Sequence, residues 1–595
     1  MSVYAAPVRD MLFAMHEIGG LESICSQSEF EDLSSSLVEA VLNEAARYAA
    51  DVLDPLNRSG DAEGASWKTG DVTTPHGFRE AWQSFTANGW NSMPAPRAWG
   101  GQGLPVLVST AVFEMWKSTN LAFSLCQMLT LGAIEAIQHH ASEELKRRFL
   151  LPMVEGRWTG TMNLTEPQAG SDVAAIRTRA VPEGEAYRIT GNKIFISWGE
   201  HDLAENIVHL VLARLPGAPS GIKGISLFLC PKFIVNDDGS LGARNDLACT
   251  AIEHKMGIHA SPTASMAFGD NGGALGYLIG KPHEGMACMF TMMNHARLNV
   301  GLEGVGLSER AYQRARSYAL QRVQGTPMLS GKGTIAGHPD VRRMLVSMKA
   351  RTEAARALAY FCAGQMDRAA RHRDVNERTE AAALVALLTP IVKGWCTEIA
   401  NAVASDGVQV HGGMGYVEES GAAQYLRDAR ITTIYEGTTG IQANDLLGRK
   451  VARDEGRAIR ALIERIRADA ARLHDIKGDP TLAVVSQALG GAVTALEEGV
   501  TWILSNIGEH PERCAAGAVD FLRLSGTVIA GWLHARLAEA ALAQIRARSQ
   551  DTEFLSAKPL LALHFATQDL VAASALRDTM RTAWSAVSRL SEEQL

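Results

Sequence analysis

AIRTRAVPEGEAYRITGNKIFISW, residues Ala175–Trp198, breaks the helical rhythm of the chain before it. Apolar and polar residues alternate along it, the mark of a half-buried strand. PEGE (182–185) and TGN (190–192) are tight-turn candidates, because Gly and Asn accept the backbone such turns need. Three short β-rich runs follow, NIVHLVLARL, GISLFLC and TASMAF. Residues 156–285 therefore read as an antiparallel sheet or small barrel.

Helical periodicity lies on both sides. In 1–155 it runs through Phe30–Leu53 and Val106–Ala136, with MPAPRAWGGQGLP as a break. In 286–447 RAYQRARSYALQRV, VRRMLVSMKARTEAARALAYF and TEAAALVALLTPIVKGWCTEIANAVA are long amphipathic or buried helices. A further helical segment, 448–595, has Ile459, Leu462, Ile463, Ile466, Ala470 and Leu473 on one face, and Gly478-Asp479-Pro480 ends that helix. This last segment carries no chemical motif and reads as a packing or oligomerisation domain. An α–β–α order argues against a doubly wound α/β fold. The fold class is multidomain α+β, in four zones: 1–155, 156–285, 286–447 and 448–595.

The 595 residues carry a net charge of −8, with 46% hydrophobic and 21% charged residues. That is ordinary for a soluble protein and gives no electrostatic case for a nucleic-acid partner. The N-terminus has no basic start followed by a long apolar run, so it does not read as a signal peptide. Ala381–Val392 and Leu482–Leu496 are shorter than the ~20 residues of a membrane span. No integral membrane insertion is expected. Eight scattered cysteines without a CxxC pair argue against zinc or a disulfide framework and fit a cytoplasmic protein.

Nucleotide fingerprints fail on context. Gly331–Ala336 matches GxGxxA, yet no strand precedes it; GTPMLSGKG is one residue too long for a P-loop. Other stretches are denser in chemistry. MNLTEPQAGSDVAAIRTRA (Met162–Ala180) packs Thr165, Glu166, Ser171 and Asp172 around Pro167 and Gly170, a polar loop able to meet a heterocycle's edge. Period two puts Phe195 and Ser197 on one strand face, either a flat-ring wall or a half-buried strand. In VQVHGGMGYVEE (Val408–Glu419), His411 is tempting as a base, but the glycines around it mark close backbone approach to a ligand. In ITTIYEGTTGIQANDLLGRK (Ile431–Lys450), Glu436 follows five uncharged residues and precedes Gly437. It is either a partly desolvated base or an acid capping the next helix.

Taken together, TEPQAGSD, KIFIS, QVHGGMGY and YEGTTGIQ resemble the flavin-dependent acyl-CoA dehydrogenases over about 1–447. The resemblance implies an N-terminal helical domain, a middle β-barrel domain and a C-terminal helical bundle, here with an additional C-terminal helical domain. It implies FAD. Met162, Leu164, Thr165 and Ser171 match the loop beside flavin and thioester. Phe195 and Ser197 match the flavin strand, where the family usually has Trp and Thr. Arg322, Gln409, Gly412 and Gly413 resemble contacts to the FAD nucleotide, and Thr438 and Gly440 contacts beyond the catalytic acid. Glu436 matches the catalytic base. Some members carry the base near the segment NHAR instead; the matching position is Ala296, which cannot serve. Asn294, Arg297, Gly437 and Ser171 resemble the acyl-CoA side, with Asp common in the family where Asn294 stands. No metal is implied.

The segment after 447, YAAPVRDMLF and IEHKMGIHASPT resemble the large bacterial members of the 3-methylmercaptopropionyl-CoA dehydrogenase type. That implies FAD-dependent α,β-dehydrogenation in fatty-acid β-oxidation chemistry, a trans-2-enoyl-CoA product, electrons passed to an electron-transferring flavoprotein, and a homodimer. Two substrates stay open, 3-(methylthio)propanoyl-CoA and a medium- or long-chain acyl-CoA. An acyl-CoA oxidase, or a non-catalytic scaffold keeping the fold, would share most of these motifs.

Overall fold

The computed structural model describes residues 3–30, 32–329, 333–474 and 480–595. Gly331 and Lys332 of the GxGxxA match, and Gly478 and Asp479 of the helix-ending break, lie outside them. The elements that matter for the site run in the following order. Helices α1 (Val106–Thr119) and α2 (Leu121–His140) precede eight strands. These are β1 (Trp158–Asn163), β2 (Arg179–Glu183), β3 (Ala186–Ser197), β4 (Asn206–Arg214), β5 (Ile225–Pro231), β6 (Leu247–Ile252), β7 (Thr263–Phe268) and β8 (Ala274–Ile279). Then come α3 (Gly285–Gln321), α4 (Pro339–Arg371), α5 (Val375–His411), α6 (Ala422–Thr432) and α7 (Thr439–Asn444). Helices α8 (Arg457–His474), α9 (Pro480–Asn506), α10 (Ala518–Arg546) and α11 (Thr552–Gln568) follow.

The chain divides into two compact units that cut across the four sequence zones. One holds 47–105 and 119–296; the other holds 1–46, 106–118 and 297–595.

In the first unit, β2, β3, β8, β5 and β4 pair in that order, and β4 closes the ring on β2 at Arg214 and Arg179. The expected small barrel is therefore present, with two parallel pairs, β1–β4 and β2–β4, among otherwise antiparallel ones. Ile189, Val211, Phe228, Cys230 and Phe268 fill the core. PEGE is the turn of the β2–β3 hairpin, with Gly184 at φ +61°. TGN is not a turn, because β3 runs straight through it. Its first half pairs with β2 and β8; from Gly191 onward it pairs with β7. A Cβ at Gly191 would sit 2.5 Å from Thr178 Oγ1, so the glycine marks a close approach where the strand changes partners.

In the second unit, α4 and α5, helices of 33 and 37 residues, pack extensively against each other. The N-terminal turn Met15–Gly19 packs on α4 and α10, which is why residues 1–46 group with the C-terminal helices. The α8 face read from periodicity is the buried one. The apolar runs at 381–392 and 482–496 continue into helices of 37 and 27 residues. Among the described residues, three helical stretches are long and apolar enough to cross a membrane by length and composition: Leu121–His140, Val375–Tyr416 and Thr552–Val587. In the first, 89% of the apolar window is buried inside the protein. All eight cysteines are free thiols, seven of them buried.

Candidate active site

The Glu436 loop hangs between α6 and α7. Thr438, not Glu436, caps α7: its Oγ1 accepts from Ile441 N at 3.2 Å. The helix-cap reading of Glu436 is thereby removed. Glu436 itself is held at φ +55° and Gly437 at φ +87°. A left-handed non-glycine residue costs on the order of 1–3 kcal/mol and persists only where its surroundings enforce it. Here Lys393 Nζ donates to Gly437 O at 2.6 Å, and Gln442 Nε2 donates to the carbonyls of Glu436 (3.1 Å) and Gly437 (3.2 Å). A Cβ at position 437 would lie 2.7 Å from that same Nε2, so only glycine fits.

This clamp presents the Glu436 carboxylate half-buried, with no hydrogen-bond or ion-pair partner among the described residues. Burial pushes its pKa up to about 7; Lys393 pulls it down, Glu303 pushes it up and Arg297 pulls it down. Lys393, fully buried on α5, is itself pushed down to about 8 by desolvation. Tyr435 donates its hydroxyl to Glu303 Oε2, while Glu303 Oε1 stays buried and unpaired. Buried Lys117 of α1 acts on Glu303 through charge. Arg297 is buried and pairs with Asp445 at 2.8 Å. The result is a carboxylate that changes charge near neutral pH and is free to meet a ligand.

Sequence reading missed Lys393, Glu303 and Tyr435. The signal was available. TPIVKGWC and GLEGVG each carry one charge in an apolar helix, the same anomaly that drew attention to Glu436.

In the barrel unit, the TEPQAGSD loop is built around Glu166. Its carboxylate accepts from Lys193 Nζ (2.8 Å), Thr178 Oγ1 (2.6 Å), Thr178 N (3.1 Å), Arg177 N (2.6 Å) and Gln168 Nε2 (2.7 Å). Lys193 also donates to Leu164 O at 3.0 Å. Against the cost of burial, Lys193 and these donors hold Glu166 down to about 2. So Glu166 faces inward as an anchor, leaving Met162, Leu164 and Thr165 half-buried and Ser171 exposed. Asp172 Oδ1 accepts from Ala174 N at 3.1 Å, turning the loop toward β2.

Phe195 departs from plain strand geometry. Opposite it the β3–β7 register slips between Ala264 and Met266, and Phe195 takes φ +59°. This bulge re-aims the ring, which is 59% exposed. Ser197 is half-buried, and Trp198 (φ +55°) is buried, its Nε1 donating to Ala122 O at 3.2 Å.

The remaining positions fall as follows. Asn294 is exposed and Ala296 buried. Arg322 is exposed at the end of α3; Gln409, Gly412 and Gly413 are exposed at the end of α5. At both glycines a Cβ would meet nothing within 4 Å. Thr438 and Gly440 are half-buried at the start of α7. His411 is buried, stacked on Tyr318 at 4.5 Å and bonded through Nδ1 to Gly407 O at 2.7 Å. It is occupied structurally. Among the described residues no group of His, Cys, Asp and Glu is placed to hold a metal.

Four family models match successive stretches: "Acyl-CoA dehydrogenase, N-terminal domain" (38–157), "middle domain" (161–271) and "C-terminal domain" (283–450), then "Acetyl-CoA dehydrogenase C-terminal like" (460–591). A 3-methylmercaptopropionyl-CoA dehydrogenase from Ruegeria pomeroyi is 46% identical over 96% of this chain and 97% of its own. The chain belongs to the acyl-CoA dehydrogenase family. A broad-specificity linear acyl-CoA dehydrogenase from Mycobacterium tuberculosis is 34% identical to this family member over the full length of both. An acyl-CoA dehydrogenase from Bacillus anthracis, solved in complex with FAD, shares the fold with a TM-score of 0.74 at 21% identity, covering 95% of this chain and 90% of that one. The chain is thus of an enzyme family, and the barrel flanked by helices, with further helices after residue 450, is that family's architecture.

Proposed function

We propose that this dehydrogenase removes the α-proton and β-hydride of an acyl-CoA thioester to give a trans-2-enoyl-CoA, with Glu436 as the base. The observation that carries this is the free, half-buried carboxylate with a pKa near 7, clamped by Lys393 and Gln442. Glu436 takes the α-proton. Its backbone N–H, which has no acceptor among the described residues, is suited to polarise the thioester carbonyl. Arg297 and Asn294 serve the acyl-CoA side, with Ser171 and Gly437.

The residues present fit FAD. The loop carrying Thr165 and Ser171 and the bulged strand carrying Phe195 and Ser197 offer hydroxyls, backbone N–H groups and an exposed ring. Gly412 and Gly413 leave open space beside Gln409 for a nucleotide. Bound FAD would accept the β-hydride. Met162, Leu164, Thr165, Ser171, Phe195 and Ser197 would orient the flavin; Arg322, Gln409, Gly412, Gly413, Thr438 and Gly440 would hold the rest. Exposed apolar side chains beside these positions, Leu320, Val323, Met414 and Tyr416, support a homodimer. Reoxidation by an electron-transferring flavoprotein and a cytoplasmic location complete the reading. The high identity to the Ruegeria enzyme favours 3-(methylthio)propanoyl-CoA as substrate; the Mycobacterium relative supports linear acyl-CoA thioesters as the second class. Anaerobic flavin bleaching across a panel from propanoyl- to palmitoyl-CoA, with 3-(methylthio)propanoyl-CoA included, tests both. A protein that stays colourless after FAD addition would end the proposal.

The pH dependence has a fixed sign. Only the carboxylate form of Glu436 is a base, so flavin reduction should rise as pH increases through about 7 and level off above it. Lys393→Met removes a cation that favours the carboxylate and should move this limb to higher pH. Glu303→Gln removes an anion that opposes it and should move the limb lower. Each shift should be about 1 pH unit, as for a charge within a few ångströms. Stopped-flow reduction rates from acid to alkaline pH would read them; shifts of equal sign would refute the assigned electrostatics.

A further inference from the structure

The helical unit holds a cavity of about 370 Å³ that the reaction above does not use. It is lined from the N-terminal segment, α4, α8 and α10, with Gln27, Arg368, Arg465 and Arg536 among its walls. Arg465 and Arg536 both lie over the Trp532 ring, at 5.2 and 5.4 Å from its centroid. Neither has a carboxylate. Arg465 makes no hydrogen bond or ion pair among the described residues. Arg536 donates from Nη2 to Glu17 O at 3.3 Å, but its Nη1 is buried with no acceptor. Asp469, the acid whose charge reaches both, already accepts from Trp532 Nε1 (2.8 Å) and Arg472 (3.1 Å). The Glu17 carboxylate accepts from Gln544 at 2.9 Å, and Arg368 is paired with Glu377.

Asp469 acts on both guanidinium groups through charge and Glu17 on Arg536, yet neither carboxylate bonds to them, and the two like charges beside one ring repel each other. Burial is the largest cause lowering the pKa of both; Asp469 pulls both up, while Arg368 pushes Arg465 down and Arg465 pushes Arg536 down. A second unmade bond lies in the same wall. Gln27 is 8% exposed, and its Oε1 is buried with no donor. The wall therefore offers two guanidinium groups as donors and one buried amide oxygen as acceptor. A carboxylate or chloride can only accept. Hydrogen phosphate does both, and guanidinium forks match its oxygens.

We infer that this cavity binds hydrogen phosphate, free or as the end group of a small hydroxylated phosphate monoester, between Arg465, Arg536 and Gln27. The site is independent of Glu436 and of any cofactor. It draws its walls from the N-terminal segment, the bundle and the helices after residue 450, so a ligand there would tie these three together.

The test is thermal unfolding of the full FAD-loaded protein in sodium phosphate against sodium chloride at matched ionic strength. Phosphate should raise the midpoint saturably by several degrees and broaden its own 31P resonance. Arg465→Met should abolish both effects, and Gln27→Leu, close in size, should weaken them. If glucose 6-phosphate displaces phosphate, the monoester is the ligand; if it does not, free phosphate is. An equal response in wild type, Arg465→Met and Gln27→Leu, or no response beyond chloride, would overturn the proposal.

Discussion

Glutamine at position 436 should slow anaerobic flavin reduction by at least about 10²–10⁴-fold, the range for loss of a positioned general base. The substitution keeps the side chain's size and leaves the loop clamp untouched, because every clamp bond goes to a backbone carbonyl. FAD content, the flavin spectrum and thermal midpoint should stay near wild type. Substrate binding, read as a perturbation of the oxidised flavin spectrum, should persist. If the flavin bleaches at the wild-type rate, another group is the base. Loss of FAD together with activity would instead make position 436 structural.

The second large effect is on stability. Lys193→Met should destabilise the barrel unit by about 3–5 kcal/mol, because it leaves a buried carboxylate without its cation. The side chains of Lys193 and Glu166 are 0% and 3% exposed, so water cannot take the cation's place. Glu166, held at about 2, contributes stability that is full above its unfolded pKa of about 4.3 and fades as pH falls toward 2. In Lys193→Met the Glu166 pKa rises, and acid sensitivity should begin nearer neutrality. The double variant Lys193→Met, Glu166→Gln should recover part of the loss, since no buried charge remains. Thermal midpoints of the single and double variants at pH 5 and 8 check this. A double variant no more stable than the single one would mean that packing, rather than charge, holds the loop.

Several features were legible before any coordinates. The switch from helical to alternating pattern at Ala175–Trp198 located the barrel, and the apolar flank of Glu436 marked it as unusual. Other features were not legible, for identifiable reasons. A glycine that lets a strand change partners at 191 has the same local signature as a turn, because both need a residue without a Cβ. The grouping of residues 1–46 with the C-terminal helices depends on contacts across hundreds of residues, which periodicity does not record. Lys193 and Glu166 are separated by 27 positions, and their pairing exists only once β3 is in register. Lys393 and Glu303 were readable as lone charges in apolar helices, but that pattern gives no partner. Only the fold puts both within electrostatic reach of one carboxylate.

The position of β8 bears on where this protein can be divided. The family model for the middle domain stops at residue 271, whereas β8 spans Ala274–Ile279 and is the stave between β3 and β5. A fragment ended at that model's limit would open the ring on two sides at once. It would leave raw backbone donors and acceptors along β3 and the apolar β5, a template for intermolecular pairing. Ribosomal synthesis meets the same geometry, since the barrel cannot shut until residue 279 has emerged. For isotope labelling, display or domain exchange, the usable cut lies beyond Ile279, not at the point where family likeness fades.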